Sequence, residues 1–555
     1  MPPPGLFFRP ASPAPAAATA RADVAVFVGL VARRAETAVP AGVLNALQVA
    51  GWAASATSRP QTARPDAQVT ALLDVPVPVD SWELFDALFA WEARPLGGEA
   101  GASGPATIPS TLGAAVRAFF AEGGRRCYVV RCGDPLPLLL DAPDARARRR
   151  QLLAWGAASP PDAATRRPLI PGLFGLGVPA APADPTTWHG VAHGLGLDDA
   201  SLVCLPDLPD LLAVEPEPLP PPPAPPPVPE QFVPCAPDIT PPGPPDATAR
   251  PSVTAPRLDA TGYRDWARAL RFMLDLLGAP GAAGRRDLML VAALPLPSSG
   301  AAAPPAGTAR WPFALLGAAG GPLPGATYLD RDQLGSARLQ LAYPWVSTTL
   351  SSVLPEGVQS PEGAVVGAIA RGALLNGAHA TVAGLRLATV QGLVPELARG
   401  DMLRGLPAGR ADWLGDRITL VGPSVEGFVL LSDATCADEA GWRAASISRL
   451  IATILRAART LGQGLVFETS GETLWARVRR DLSAYLTTLW DLGALDGATP
   501  AEAFDVRCDR STMTQADLDA GRLIARVAVT AAQPVQRISV TLALTGDAGV
   551  VAEAA

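Results

Sequence analysis

Two histidines, His189 and His193, are the residues whose spacing most resembles a metal site. They stand in the segment HGVAH, and an i, i+4 spacing can place two imidazoles on one helix face to bind zinc. The second residue of the segment is Gly190, whereas a zinc protease needs a glutamate there as general base. With glycine in the surrounding loop, the pair does not predict a metal site.

Other patterns that could carry chemistry are also incomplete. The GLFGLG segment at residues 172–177 has no following Lys-Ser/Thr pair and opens no clear helix, so it does not predict phosphate binding. No G-x-S-x-G motif occurs, and the 52 carboxylates include no pair of distinctive spacing. The cysteines form no CxxC pair, which suits a reducing cytoplasm: Cys127, Cys132, Cys204, Cys235, Cys436 and Cys508. We predict no catalytic residues, no metal and no cofactor.

Composition narrows the class of protein further. A chain of 555 residues is expected to form several domains. Its mean hydropathy of +0.21 comes from alanine, and no apolar stretch is long enough to span a bilayer. The N-terminus lacks the pattern of a signal peptide. A net charge of −7 and a pI near 5.2 argue against a nucleic-acid partner. We therefore expect a soluble protein without direct membrane insertion.

The first 133 residues alternate strand and helix patterns. After a Pro/Ala-rich arm at residues 1–22, residues 23–30 read as a buried strand and residues 75–79 as a short extended run. Ser81 is placed to cap a helix from Trp82 to Trp91. A second helix begins at Thr111, and residues 126–131 form a strand; the order predicts an α/β layer.

Residues 134–335 differ in character from what precedes them. They include a loop-rich stretch and a proline run at residues 215–229 that favours polyproline II structure. A helix is predicted over residues 263–277 and a strand over residues 287–293. We interpret residues 134–335 as a variable, outward-facing insertion domain with a Pro-rich segment at 206–256.

The rest of the sequence predicts two further domains, one of which also includes residues from the N-terminal part of the chain. Residues 23–133 and 336–430 form a core α/β domain, in which residues 361–376 are a helix rich in small residues. Residues 431–535 form a compact α/β domain, with long amphipathic helices over 440–461 and from Ser470 or Gly471 to Leu492, and a short strand at 465–468. Residues 536–555 form a C-terminal strand or arm, because apolar and polar residues alternate over residues 536–545.

Residues 504–529 are polar and contain several signals for the start and end of short secondary-structure elements. Thr514 can cap a short helix, with Asp517 three residues later completing a variant of the capping box. Gly521 is placed to end that helix, and a strand pattern follows over residues 522–529. A short helix that leads into a strand near a chain end favours assembly over catalysis.

This segment resembles the C-terminal domain of contractile tail sheath proteins, found in myophage tails, R-type pyocins and extracellular contractile injection systems. The family run T-x-T-Q-x-D-x-D-x-G-R corresponds to Thr512, Thr514, Gln515, Asp517, Asp519, Gly521 and Arg522. Further blocks in family order include Pro4-Gly5, the residues 115–131 and Tyr343-Pro344-Trp345. The resemblance covers residues 4–133 and 339–540. It does not extend to residues 134–335, and residues 377–381 (GAHAT) replace the family's basic segment.

The resemblance implies an α/β multidomain sheath subunit with extended terminal arms. Such subunits stack as six-membered layers around an inner tube and contract to drive that tube through a target envelope. The implied partners are copies of the chain itself, an inner tube protein, baseplate and cap proteins, and in some particles paralogous sheath subunits. Assembly would take place in the cytoplasm, with release on cell lysis. A non-contractile baseplate or cap component, or an enzyme with its site in residues 134–335, are the alternatives.

The resemblance also implies which residues carry the assembly. Terminal arms of sheath subunits add strands to neighbouring subunits. The candidates for this exchange are Gly5, Leu6, Phe7, Phe8, Ile538, Val540, Leu542 and Leu544. The candidates for contacts with the inner tube or with a neighbour are Arg443, Arg449, Arg477, Arg479 and Arg480.

Overall fold

The structure is a computed structural model of the 555-residue chain. It describes residues 21–97, 107–139, 170, 172, 174–175, 184–216, 253–278, 284–298, 334–396, 414–463, 471–519, 523–532, 540–544 and 550–554. The chain divides into two compact units. The larger unit is Ala22–Ala452, and the described residues from Thr453 onward belong to the smaller unit. Each unit is described by itself below.

The elements are numbered in chain order. The strands are β1 Ala25–Leu30, β2 Ala32–Arg33, β3 Pro76–Val79, β4 Phe89–Ala90, β5 Arg94–Pro95, β6 Thr107–Ile108, β7 Cys127–Gly133, β8 Leu202–Cys204, β9 Arg257–Leu258, β10 Met289–Ala293, β11 Leu296–Pro297, β12 Leu339–Tyr343, β13 Trp345–Thr348, β14 Val390–Val394, β15 Thr419–Ser424, β16 Gly427–Leu430, β17 Phe504–Arg507, β18 Arg526–Val529, β19 Val540–Leu544 and β20 Val550–Ala554. The α-helices are α1 Ala41–Val49, α2 Asp66–Thr70, α3 Trp82–Leu88, α4 Thr111–Ala121, α5 Leu208–Leu212, α6 Ala260–Leu277, α7 Glu362–Asn376, α8 Ala445–Gln463, α9 Glu472–Asp491, α10 Pro500–Ala503 and α11 Gln515–Asp519. Short 3-10 turns are Pro185–Thr187, Gly190–Gly196, Ser351–Val353, Pro355–Gly357, Leu414–Asp416 and Ala440–Trp442.

An eight-stranded sheet organises the larger unit, in the order β16-β15-β12-β10-β8-β1-β7-β3. The inner pairings from β7 to β15 are parallel, and only the outermost strands β3 and β16 pair antiparallel. Every residue of β1, AVFVGL, is buried. Such a continuous apolar run is typical of a parallel strand that is covered on both faces. The fold is α/β, as predicted.

The described parts of residues 134–335 differ from the predicted outward-facing insertion. They contribute β8 and β10, which lie in the middle of the sheet between β1 and β12. The separation of these strands along the chain, with loop-rich sequence between them, hid their pairing from local pattern analysis. The residues of the proline run from 217 to 229 lie outside the described residues.

Local signals are confirmed at several elements. The hydroxyl of Ser81 accepts a hydrogen bond from the Leu84 N–H at 3.2 Å and so begins α3. The predicted end of this helix at Trp91 is wrong, because Phe89–Ala90 instead pairs with Ala32–Arg33 as strand β4. The predicted strand at residues 465–468 lies outside the described residues. Among the helices that the structure describes, none has the length and apolar character needed to cross a membrane.

Helices α4 and α7 cross at backbone contact, which explains the small residues of α7. A Cβ atom at Gly363 would lie 2.1 Å from the carbonyl oxygen of Ala115, and one at Gly367 would lie 2.5 Å from that of Phe119. Both distances are far inside van der Waals contact with main-chain atoms, so only glycine fits at these two positions.

We predict that Gly363→Ala lowers the free energy of unfolding by about 1–3 kcal/mol, because the added methyl group forces α7 away from α4. The measurement is chemical denaturation of the purified chain. Gly42→Ala is the matched control, since Gly42 lies in α1 and a Cβ atom there would meet no described atom within 4 Å apart from the local helix backbone. That change should be neutral or stabilising by up to about 1 kcal/mol. Equal effects of the two substitutions would contradict the close crossing.

Candidate functional site

The predicted capping box is present at the start of α11. The Asp517 carboxylate accepts hydrogen bonds from the N–H and the hydroxyl of Thr514, at 3.0 and 2.6 Å. In return, the N–H of Asp517 donates to the Thr514 hydroxyl at 3.2 Å. The reciprocal bonds satisfy donors that a helix N-terminus otherwise leaves open, which is how a helix of only five residues is held.

The other described residues of the motif position the chain on either side of α11. The buried hydroxyl of Thr512 lies 2.7 Å from the carbonyl oxygen of Ile524, just before β18, and 2.9 Å from that of Asp509. Within α11, the Gln515 amide donates to Asp519 at 2.8 Å. Gly521 and Arg522 lie outside the described residues. The hydrogen bonds of the motif therefore stabilise α11 and hold Ile524, which lies just before β18, in position.

Among the described residues, strand β18 pairs with one strand only and leaves its other edge open. It pairs antiparallel with β17, from Phe504–Val529 to Arg507–Arg526. The sheet has two strands among the described residues, and β17 packs against α9 with Val506 buried. Three of the four β18 residues, Arg526, Val527 and Ala528, are exposed. The unpaired main-chain groups of such an edge can accept a further strand.

The predicted exchange strand is present as β19 at the C-terminal end of the chain. It contains Val540, Leu542 and Leu544 and pairs antiparallel with β20 in a hairpin. Ile538 and the N-terminal candidates Gly5, Leu6, Phe7 and Phe8 lie outside the described residues. Pairing between subunits stays a prediction.

The five candidate arginines have different environments. Arg449 is buried, and its guanidinium donates to both carboxylate oxygens of Asp433 at 2.9 and 2.6 Å. The amphipathic pattern placed this arginine on a polar face, but that face is buried, so Arg449 is not available for a surface contact. Arg443 is partly buried and donates to the Asp438 carbonyl. Arg477, Arg479 and Arg480 are exposed on α9.

The histidine pair is held by a carboxylate. His189 Nδ1 lies 2.5 Å and His193 Nε2 lies 2.9 Å from the buried Asp74 side chain, which also accepts the Gly190 N–H. Burial opposes the charge of Asp74, but these hydrogen bonds outweigh it and lower the carboxyl pKa. Within the described residues, no cluster of ligands suits a metal ion. These contacts give HGVAH a structural role, because they join the turn Gly190–Gly196 to Asp74, which lies just before β3 in the chain.

Sequence reasoning also missed buried carboxyl groups in the larger unit, of which Asp207, Glu362 and Asp433 have shifted pKa values. Asp207 accepts hydrogen bonds from the N–H groups of Leu30 and Leu112, at 2.6 and 3.1 Å, and so joins the end of β1 to α4. Burial raises the pKa of Asp207 to about 7, although these bonds oppose the shift. The only sequence signal was an acidic residue shortly after an apolar strand.

Glu362 and Asp433 are the other two. Glu362 accepts the Ala293 N–H at 2.6 Å, and burial raises its pKa to about 8, with the Asp207 carboxyl adding to the shift. Asp433 is also buried, but the ion pair with Arg449 outweighs burial and lowers the pKa of Asp433.

Asp207 lies at the point where the strand order of the central sheet reverses beside β1. Open α/β sheets commonly bind ligands at such a point.

Comparison with known proteins agrees with this arrangement at the C-terminal end. Residues 438–545 match the family model described as the phage tail sheath C-terminal domain. This segment includes α8, α9, the β17–β18 sheet, the capping box and β19. This part of the chain is therefore similar to the C-terminal domain of phage tail sheath proteins.

Solved structures provide the comparison over the whole chain. A chain from the anti-feeding prophage baseplate in the contracted state is 19% identical, with a TM-score of 0.50 and coverage of 99% of both chains. A chain from the contracted helical sheath of that particle is 19% identical, with a TM-score of 0.49 and coverage of 99% of this chain and 100% of that one. A chain from the contracted PVC sheath complex, an extracellular contractile injection system, is 17% identical, with a TM-score of 0.49 and coverage of 99% and 98%. No curated protein matches this chain.

Proposed function

We propose that this chain is the structural subunit of a contractile sheath, which polymerises helically around an inner tube and contracts to drive the tube through a target envelope. The observation that carries the proposal is the match of residues 438–545 to the phage tail sheath C-terminal domain. The similar solved structures, from a helical sheath and from baseplates, agree with self-assembly and with association with a baseplate. Assembly takes place in the cytoplasm, and particles leave the cell on lysis.

In this proposal the open edge of β18 is the acceptor for strands from neighbouring subunits. The donors are the N-terminal arm, with Gly5, Leu6, Phe7 and Phe8, and the C-terminal strand, with Ile538, Val540, Leu542 and Leu544. Strand addition satisfies main-chain groups that an exposed edge leaves unpaired. Each main-chain hydrogen bond contributes about 0.5–1.5 kcal/mol net, so several bonds make a durable but bendable link.

The inner tube contact in this proposal lies on α9. Arg477, Arg479 and Arg480 are exposed, and two of them share Asp481: Arg480 at 2.9 Å and Arg477 at 3.8 Å. Ion pairs at an exposed surface are weak and rearrange at little cost. These arginines can therefore exchange Asp481 for carboxylates of the tube protein or of a neighbouring subunit, and Arg443 is a further candidate.

Negative-stain electron microscopy of the purified chain, alone and with its cognate inner tube protein, tests the proposal. We expect long, striated, hollow cylinders, formed more readily with the tube protein because the tube templates the layers. Monomers or small closed rings under both conditions would contradict a sheath and favour a baseplate or cap component. Cylinders that form but never shorten would retain the assembly role and remove contraction.

A further inference from the structure

A small, partly enclosed cavity lies beside the carboxyl end of the central sheet. Its volume is about 20 Å³, and its wall includes Arg94, Thr111, Asp210, Trp345, Gln359 and Ser360. These residues come from segments far apart in sequence: β5, the start of α4, α5, β13 and the chain that precedes α7. The cavity is therefore a meeting point of several parts of the larger unit.

The side chain of Gln359 is the unusual feature of this wall. Gln359 is 5% exposed, and neither its amide oxygen nor its amide nitrogen has a hydrogen-bond partner among the described residues. Its main chain is fixed, because its N–H and C=O pair with Val346 at 2.9 and 3.1 Å. A buried amide without a partner is costly, so such a group normally bonds to protein or to ordered water.

The rest of the wall is polar enough to complete such a bond. Arg94 donates to Asp210 at 2.7 Å and to the Leu136 carbonyl at 2.8 Å, and its other terminal nitrogen lies 3.5 Å from the Thr111 hydroxyl. The 3.5 Å distance is long for a direct hydrogen bond. Arg94 and Asp210 are both largely buried, so their polar groups face the interior. Donors and acceptors from Arg94, Thr111 and Asp210 therefore belong to residues that line the same cavity as Gln359.

We propose that this cavity is a binding site for one ordered water molecule, which bridges the Gln359 amide to the Arg94, Thr111 and Asp210 wall. A volume of about 20 Å³ exceeds the roughly 10–15 Å³ that one water requires. Buried waters make about three hydrogen bonds, and the Gln359 amide together with Arg94, Thr111 and Asp210 has enough donors and acceptors for that number. The water links Gln359 to the hydrogen-bonded pair of Arg94 and Asp210 and to Thr111, and it holds the segment before α7 against the start of α4.

Replacement of Gln359 by methionine tests the proposal through the sign of its effect. Methionine has a similar volume but no hydrogen-bonding group. If a water bridges the site, Gln359→Met removes an anchor and leaves the other polar groups short of a partner, so the Tm of the full-length chain falls by about 1–3 °C. If the cavity is dry, the same change removes a buried unsatisfied amide and the Tm rises, which overturns the proposal.

A structural readout and a control complete the test. A high-resolution density map of the wild-type chain should show a peak about 2.7–3.2 Å from the Gln359 amide, and a map of the methionine variant should lack it. A wild-type map without that peak overturns the proposal whatever the Tm does. Gln391→Met is the matched control, because Gln391 is exposed in β14, the strand that pairs with β13. Its Tm should equal that of the wild type.

Discussion

Removal of residues 536–555 is expected to abolish the long cylinders that the proposed function predicts for the full-length chain, while leaving a folded, monodisperse protein. The deletion removes β19 and β20 but none of the strands of the central sheet. Each subunit would lose a donor strand and each neighbour the main-chain bonds to it, at about 0.5–1.5 kcal/mol per bond. Because the loss repeats at every subunit, polymerisation should fail rather than weaken. Electron microscopy and circular dichroism of the truncated chain provide the measurement.

A pair of point variants separates strand pairing from the mere presence of a tail. Leu542→Pro places a residue without an N–H inside β19 and should also prevent cylinders. Thr541→Ser retains the N–H and a hydroxyl side chain and should polymerise as the full-length chain does. Normal cylinders from the truncated chain, or from Leu542→Pro, would show that this strand does not link subunits.

The second large effect concerns pH. Glu362→Gln is expected to raise the free energy of unfolding at pH 9 and to change it little at pH 5. The Glu362 pKa is raised from 4.5 to about 8 by burial, so the folded chain holds a proton that the unfolded chain releases. The stabilisation from that proton is complete below pH 4.5 and is lost as the pH rises through about 8. Glutamine has no ionisable group, so the Glu362→Gln variant does not lose this stabilisation as the pH rises.

The size of the expected difference in the free energy of unfolding follows from the shift in the Glu362 pKa. Each pKa unit corresponds to about 1.4 kcal/mol, so the difference between glutamine and glutamate reaches at most about 5 kcal/mol at pH 9. Denaturation curves at pH 5, 7 and 9 measure it. Asp207, with a pKa raised to about 7, adds to the pH dependence of both proteins and does not cancel the difference. Glu472→Gln, at an exposed position, should retain the wild-type pH profile. Parallel profiles for Glu362→Gln and the wild type would contradict a protonated buried carboxyl.

The sequence by itself determined the elements whose signals are local. The Thr514–Asp517 capping box, the Ser81 cap and helix α9 with its buried stripe all appear where the pattern predicts them. Each depends on residues within one or two turns of each other, so spacing alone is sufficient. Part of the family motif is of the same kind, because Gln515 bonds to Asp519 and Thr512 bonds to Asp509 in the preceding turn. The resemblance to sheath proteins could therefore be recognised without a structure.

Only the tertiary structure decided which distant segments meet. Strands β8 and β10 lie within the stretch interpreted as an insertion, yet they fill the middle of the sheet. Arg449 belongs to the polar side of an amphipathic helix by its spacing, but Asp433 pairs with it in the interior. Parallel pairing and buried ion pairs join residues whose separation along the chain leaves no periodic signal. Burial, which depends on the complete fold, then determines that Glu362 retains a proton and that Gln359 faces a cavity.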